Sequence, residues 1–222
     1  MLKNLALFLT GLFLILALGE WLFPKILGKI PLRLYGSIDK NLRILAQSSK
    51  KSTFPHEYIA IVGDSIAVGS GDWLEEVRKN SFLGSPRYSP AHLINEKTGI
   101  DVVSFAQGGV GSFGGIWKGP ITQFLYINSV KNYQLSPPKY LLIFFSEGND
   151  VYDNIQFVNE NLRATEKEIG KVYEVNRFHR FLKAEFEKVV NLKFDRSFWK
   201  DMLFTRSIFQ GASNLFKEWA SL

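Results

Sequence analysis

The chain has no cysteine. That excludes a disulfide framework, a thiolate zinc site and a cysteine nucleophile, and it leaves the redox compartment unmarked. Histidine is nearly as scarce. His56, His92 and His179 are scattered without metal-ligand spacing, so neither a metal nor a cofactor is expected. Internal repeats and low-complexity tracts are missing too. So is any excess of charge over the body of the chain. Residues 24–51 hold seven basic residues and one acid, Asp39, a net +6 that equals the charge of the whole protein. A nucleic-acid face needs a basic patch on the folded domain, so nucleic acid is not an expected partner.

What is present suffices for one packed domain with an appendage: 222 residues, 46% of them hydrophobic, with 19 phenylalanines. The appendage is N-terminal. Leu5 through Phe23 is apolar except for Thr10, Gly11, Gly19 and Glu20. As a helix this run covers about 28 Å, close to a bilayer core. Trp21 sits at its end, where interfacial aromatics gather. A cleavable signal peptide is the competing reading, with Ala17-Leu18-Gly19 as a small-residue cleavage site. Apolarity that continues through Trp21-Leu22-Phe23 and Ile26-Leu27 favours an uncleaved anchor over residues 1–23.

Residues 24–54 follow as a basic juxtamembrane stalk, broken by Pro24 and Pro31, with helix-like spacing through Leu34, Ile38, Leu42 and Leu45. It is expected to pack loosely or to lie along lipid headgroups. Its positive charge points the domain, residues 55–222, towards the cytoplasm.

Within that domain, Tyr58-Ile59-Ala60-Ile61-Val62 reads as a short buried strand, and Gly63-Asp64-Ser65 leaves it. A serine at such an exit stands at the mouth of an open α/β sheet, where ligands gather. Asp101 to Phe105 is a second strand, followed by the glycine-rich Gln107-Gly108-Gly109-Val110-Gly111. Tyr140 to Phe145 is a third, ending in Ser146-Glu147-Gly148-Asn149-Asp150. In a parallel sheet these three ends lie side by side. Gly114-Gly115 and Gly119-Pro120 are expected to prolong the second loop. Pro90 is expected to start the helix that carries His92.

These segments resemble the SGNH hydrolases, also called the GDSL esterase/lipase family, over roughly residues 57 to 153. Gly63-Asp64-Ser65 with Gly69 matches the first block of that family, Gly109 the glycine of the second, and Gly148-Asn149-Asp150 the third. The resemblance implies an α/β fold, a flavodoxin-like three-layer parallel sheet. It implies that Ser65 attacks an acyl carbonyl. The backbone N–H groups of Ser65 and Gly109 and the amide of Asn149 would hold the oxyanion, and Asp64 would orient the loop, with Asp150 in support. Such enzymes act on acylated carbohydrates or lipids. Anchored relatives commonly work outside the cytoplasmic membrane, so an exported domain on a single-pass anchor is the expectation, against the charge rule.

The chain departs from the family in two ways. Ser104 stands where the second block usually has asparagine, and Ala106 where glycine is frequent. The fourth block, Asp-x-x-His, has no match: Thr53, Ser89 and Asn176 precede the three histidines by three positions. Asn176-Arg177-Phe178-His179 comes nearest. Only three of the family's usual five or so strands are legible, and the sequence after Asp150 reads as helix. The chain is therefore expected to be the N-terminal part of a longer protein. Val172, Val175, Phe178, Phe181, Leu182, Phe186 and Val189 form one apolar helical face that could cover the sheet, close over the serine or lie on the membrane. Trp117, Tyr152 and Trp199 could line an acyl or sugar pocket, or simply pack. Three functions stay open: an esterase, an O-acetyltransferase for an exported polysaccharide, and a non-catalytic binding or assembly protein.

Overall fold

The computed structural model describes residues 2–29, 39–45, 49–69, 89–131, 133–162, 175–194 and 201–220. The first element, α1, runs from Leu2 to Ile26 and is long and apolar enough to cross a membrane. Most of its side chains are exposed, Leu7, Phe8 and Phe13 among the most open.

The described strands are β1 (Ile59–Val62), β2 (Val102–Ser104) and β3 (Tyr140–Ile143). They form one parallel sheet in the order β2-β1-β3. β1 is central because its apolar, largely β-branched run tolerates burial on both faces, the usual condition of a parallel strand. Ile61, Val62, Val102 and Val103 are fully buried. Hydrogen bonds continue past the strand ends: Phe105 N donates to Ile61 O at 2.8 Å and Phe144 N to Val62 O at 2.9 Å.

Between strands the described residues include helices. After β1 comes a single turn, α2 (Ser65–Val68). The helix α3 (Pro90–Thr98) starts where the sequence predicts, with Pro90 in its first turn and the Ser89 hydroxyl accepting from His92 N at 3.2 Å. After β2 the chain enters a π-helical turn, Phe113–Lys118, that runs into α4 (Gly119–Ser129). The glycine pair expected to lengthen a loop is thus wound into helix. Beyond β3 lie α5 (Glu147–Leu162), α6 (Val175–Val190) and α7 (Leu203–Ala220).

Two features were not part of the sequence reading or depart from it. β3 lies at an edge, and Tyr140 to Ile143 are 39–59% exposed despite their apolarity. The stalk, expected to pack loosely, contributes Leu42, Ile44 and Leu45 to the core, together with Phe23 and Leu27 from the end of the apolar helix and the turn after it. Ser49 forms an antiparallel bridge with Val102. Thr53 Oγ1 donates to the Lys25 carbonyl at 3.3 Å. The end of α1 is therefore clasped by residues 42–45 and 49–53 rather than held on a loose tether.

Lys50 lies inside that clasp. Its ammonium donates to the Leu45 carbonyl at 2.6 Å and sits beside Gly28. Burial lowers its pKa from 10.5 to about 8, with Asp101 acting in the opposite direction. The unfolded chain therefore holds more proton than the folded one between about pH 8 and 10.5. Stability rises with pH across that window, by up to about 3 kcal/mol in total. Denaturant titrations at several pH values should show this rise in the parent and a flatter profile in Lys50→Met. Parallel profiles would clear Lys50 of the effect.

Candidate active site

At the carboxyl edge of the sheet, Gly63 joins the three chain segments. Its N–H donates to Gly115 O at 3.0 Å, and its carbonyl accepts from Gln107 N at 3.1 Å. Its φ is +149°, and a Cβ there would stand 2.7 Å from Phe144 O. A Cβ on Gly115 would stand 2.5 Å from the Gly63 carbonyl oxygen. Backbone therefore meets backbone at this point, and only glycine leaves the room.

Asp64 follows, buried, and caps α2: its carboxylate accepts from Ile66 N at 2.9 Å. That bond holds the chain in the turn that makes Ser65 the first residue of α2, half-buried at the mouth of the sheet. Asp64 thus holds the start of this turn through a backbone contact. Among the described residues nothing hydrogen-bonds the Ser65 hydroxyl.

The glycine loop passes beside the serine. A Cβ on Gly108 would lie 3.7 Å from Ser65 Cβ. Gly109, next along, is exposed with φ +76°. The loop is tied to α5, where Ser112 Oγ accepts from Asn154 Nδ2 at 3.0 Å. Gly111 presses on Asp153, whose Cβ would be 2.7 Å from an added Cβ. Asn149 belongs to the first turn of α5; its side chain lies outside the described residues. Asp150 is buried, and its Oδ2 accepts from Ser146 N at 2.7 Å, closing the start of α5 onto the end of β3. Its Oδ1 is buried without a partner among the described residues. The carboxyl edge thus carries Ser65 and Gly109 on adjoining segments, with the Asn149 backbone on the helix tied to that glycine loop.

The histidines divide. His56 bonds Ser136 Oγ through Nδ1 at 3.2 Å, ahead of β1 and β3, at the amino edge of the sheet. His92 approaches Ser49 Oγ at 3.4 Å, and Ser49 bridges to Val102, also at the amino edge. His179 is exposed on α6. That helix packs on the carboxyl side: Phe181 meets Phe113 at 5.8 Å and Phe157 at 5.9 Å between ring centroids. Trp117 joins the same cluster through Phe113 and Phe186, so it packs. Tyr152 is exposed, and Trp199 lies outside the described residues.

The sequence reading missed the contact between Gly63 and Gly115, the tie between Ser112 and Asn154, and the π-helical turn. The glycine pair was the visible signal, and it indicated close approach rather than loop length. A cleft of about 410 Å³, lined in part by Lys51, Glu57, Asp101 and Lys139, lies at the opposite edge from Ser65. No family model, curated protein or solved structure matches this chain.

Proposed function

We propose that this chain carries a serine acyl-transfer site of the SGNH type, held at a membrane by α1, with the domain on the extracytoplasmic side. One observation carries the proposal: Ser65 leaves the central strand at a capped helical turn, with a glycine loop packed beside it. The step is a balanced exchange. Ser65 Oγ bonds to the acyl carbon, the ester's alcohol leaves with a proton, and water or a sugar hydroxyl then takes the acyl group. The backbone N–H groups of Ser65 and Gly109, with the Asn149 amide, are the donors proposed for the oxyanion. Removing one donor from such a set typically costs roughly 3 kcal/mol of transition-state stabilisation. Acylated polysaccharide or lipid is the substrate class.

A second reading has its own observation. His56 and His92 sit at the far edge of the sheet, so His179 is the histidine left on the serine's side. A serine without a base is a weak nucleophile, and a pocket of this kind without one would bind rather than cleave. A fluorophosphonate separates the two readings, because it labels only an activated serine. Full-length protein in detergent should take up one equivalent, mapped to the peptide holding Ser65, and His179→Ala should slow it. Labelling no faster than that of urea-unfolded protein would assign the binding role.

A further inference from the structure

We propose that α7 is a second membrane contact, an amphipathic helix lying in the bilayer surface beside the point where α1 leaves it. The proposal rests on reading α1 as a membrane span. From Lys3 to Glu20 a helix rises about 26 Å, nearly the hydrocarbon thickness. α7 begins at that level. The Glu20 carboxylate accepts from Phe204 N at 3.2 Å and from Thr205 N at 2.8 Å. It thereby satisfies two of the free donors at the start of an 18-residue helix and places an anion at its positive end. The Phe204 ring fills the notch at Gly19, where a Cβ would collide with it, and meets Phe23 at 5.8 Å. The start of α7 is therefore fixed to the membrane end of α1.

From there α7 divides into two faces. Arg206 turns to the domain and pairs with Asp39 at 3.2 Å. Ile208 and Phe209 are 45% and 67% exposed, within five residues of the contacts that fix the start of α7 to α1. In the sequence, Ala212, Leu215, Phe216 and Trp219 continue the apolar spacing, while Gln210, Ser213, Asn214 and Lys217 fill the positions between. A helix so patterned, fixed at the boundary of a bilayer, buries its apolar side at the headgroup level. Lipid is the occupant proposed because α7 is fixed at its start to the end of α1, the helix read as the membrane span.

The absence of cysteine makes the test direct, since single cysteines can be spin-labelled without background. Leu9→Cys, Phe209→Cys, Ile208→Cys and Gln210→Cys would be labelled in the full chain and reconstituted in phosphatidylcholine vesicles. Collision with oxygen is then compared with collision with a water-soluble nickel chelate. Labels at 208 and 209 should favour oxygen several-fold over the label at 210, approaching the label at 9. If the labels at 208 and 209 favour the chelate while that at 9 favours oxygen, the α7 proposal falls and the anchor stands. If the label at 9 also favours the chelate, both fall. Labels at 208 and 209 shielded from both agents would indicate a protein cover and would overturn the lipid assignment.

Discussion

Ser65→Ala should cut the hydrolysis of a p-nitrophenyl acyl ester by a factor on the order of 10³ or more. This is the largest effect expected from any single substitution. Removing a catalytic serine deletes the covalent path, and the remaining donors can only polarise a carbonyl for slow attack by water. Losses on the order of 10³ to 10⁶ in kcat are typical when the nucleophile of such a site is removed. The alanine fits without strain, because the serine's hydroxyl has no bond to a described residue and its backbone is ordinary helix. Melting temperature should therefore stay near that of the parent, which separates lost chemistry from lost fold. Turnover unchanged by Ser65→Ala would sink the esterase reading outright.

Gly115→Ala should act the other way round, lowering stability first and reactivity as a consequence. Its added methyl would stand 2.5 Å from the Gly63 carbonyl oxygen and 3.3 Å from Asp64 N, both backbone atoms that cannot turn aside. Gly63→Ala adds a positive φ to a contact of 2.7 Å with Phe144 O. Overpacking of this kind costs roughly 1–3 kcal/mol. In a domain of this size that is a fall in melting temperature of roughly 3–10 °C. The strand ends would part where Ser65 is held, so fluorophosphonate labelling should fall in both variants. A Gly115→Ala protein with parental stability and labelling would show that this junction does not set the serine's position.

The strands and their parallel order were legible because the signals are local. Short β-branched runs ended in glycine or small residues, and Ser89-Pro90 marked a helix start. The exit of Ser65 from the first strand was legible for the same reason. What was not legible depends on approach between distant segments. Glu20 reads as a flaw in an apolar run until its two donors arrive from residues 204 and 205. Leu42 and Leu45 look like one stripe of a stalk, and only the fold shows that they share a core with Leu27. The exposure of β3 depends on what lies beside it, which its own alternation-free apolar run does not encode.

The clasp around the end of α1 has a mechanical consequence. Lys50 and Thr53 meet Gly28 and Lys25 just ahead of the strands, and Ser49 pairs with the first residue of β2. The end of α1 is therefore tied to the sheet at its amino edge, and Ser65 opens from the other. Four residues of β1 separate the two, a standoff of about 13 Å before any side chain is counted. With α1 in a bilayer and β1 along its normal, the serine would stand that far above the point of attachment. An ester on a lipid tail would have to rise out of the leaflet by that distance to reach it. A soluble polymer passing along the membrane meets it at no such cost.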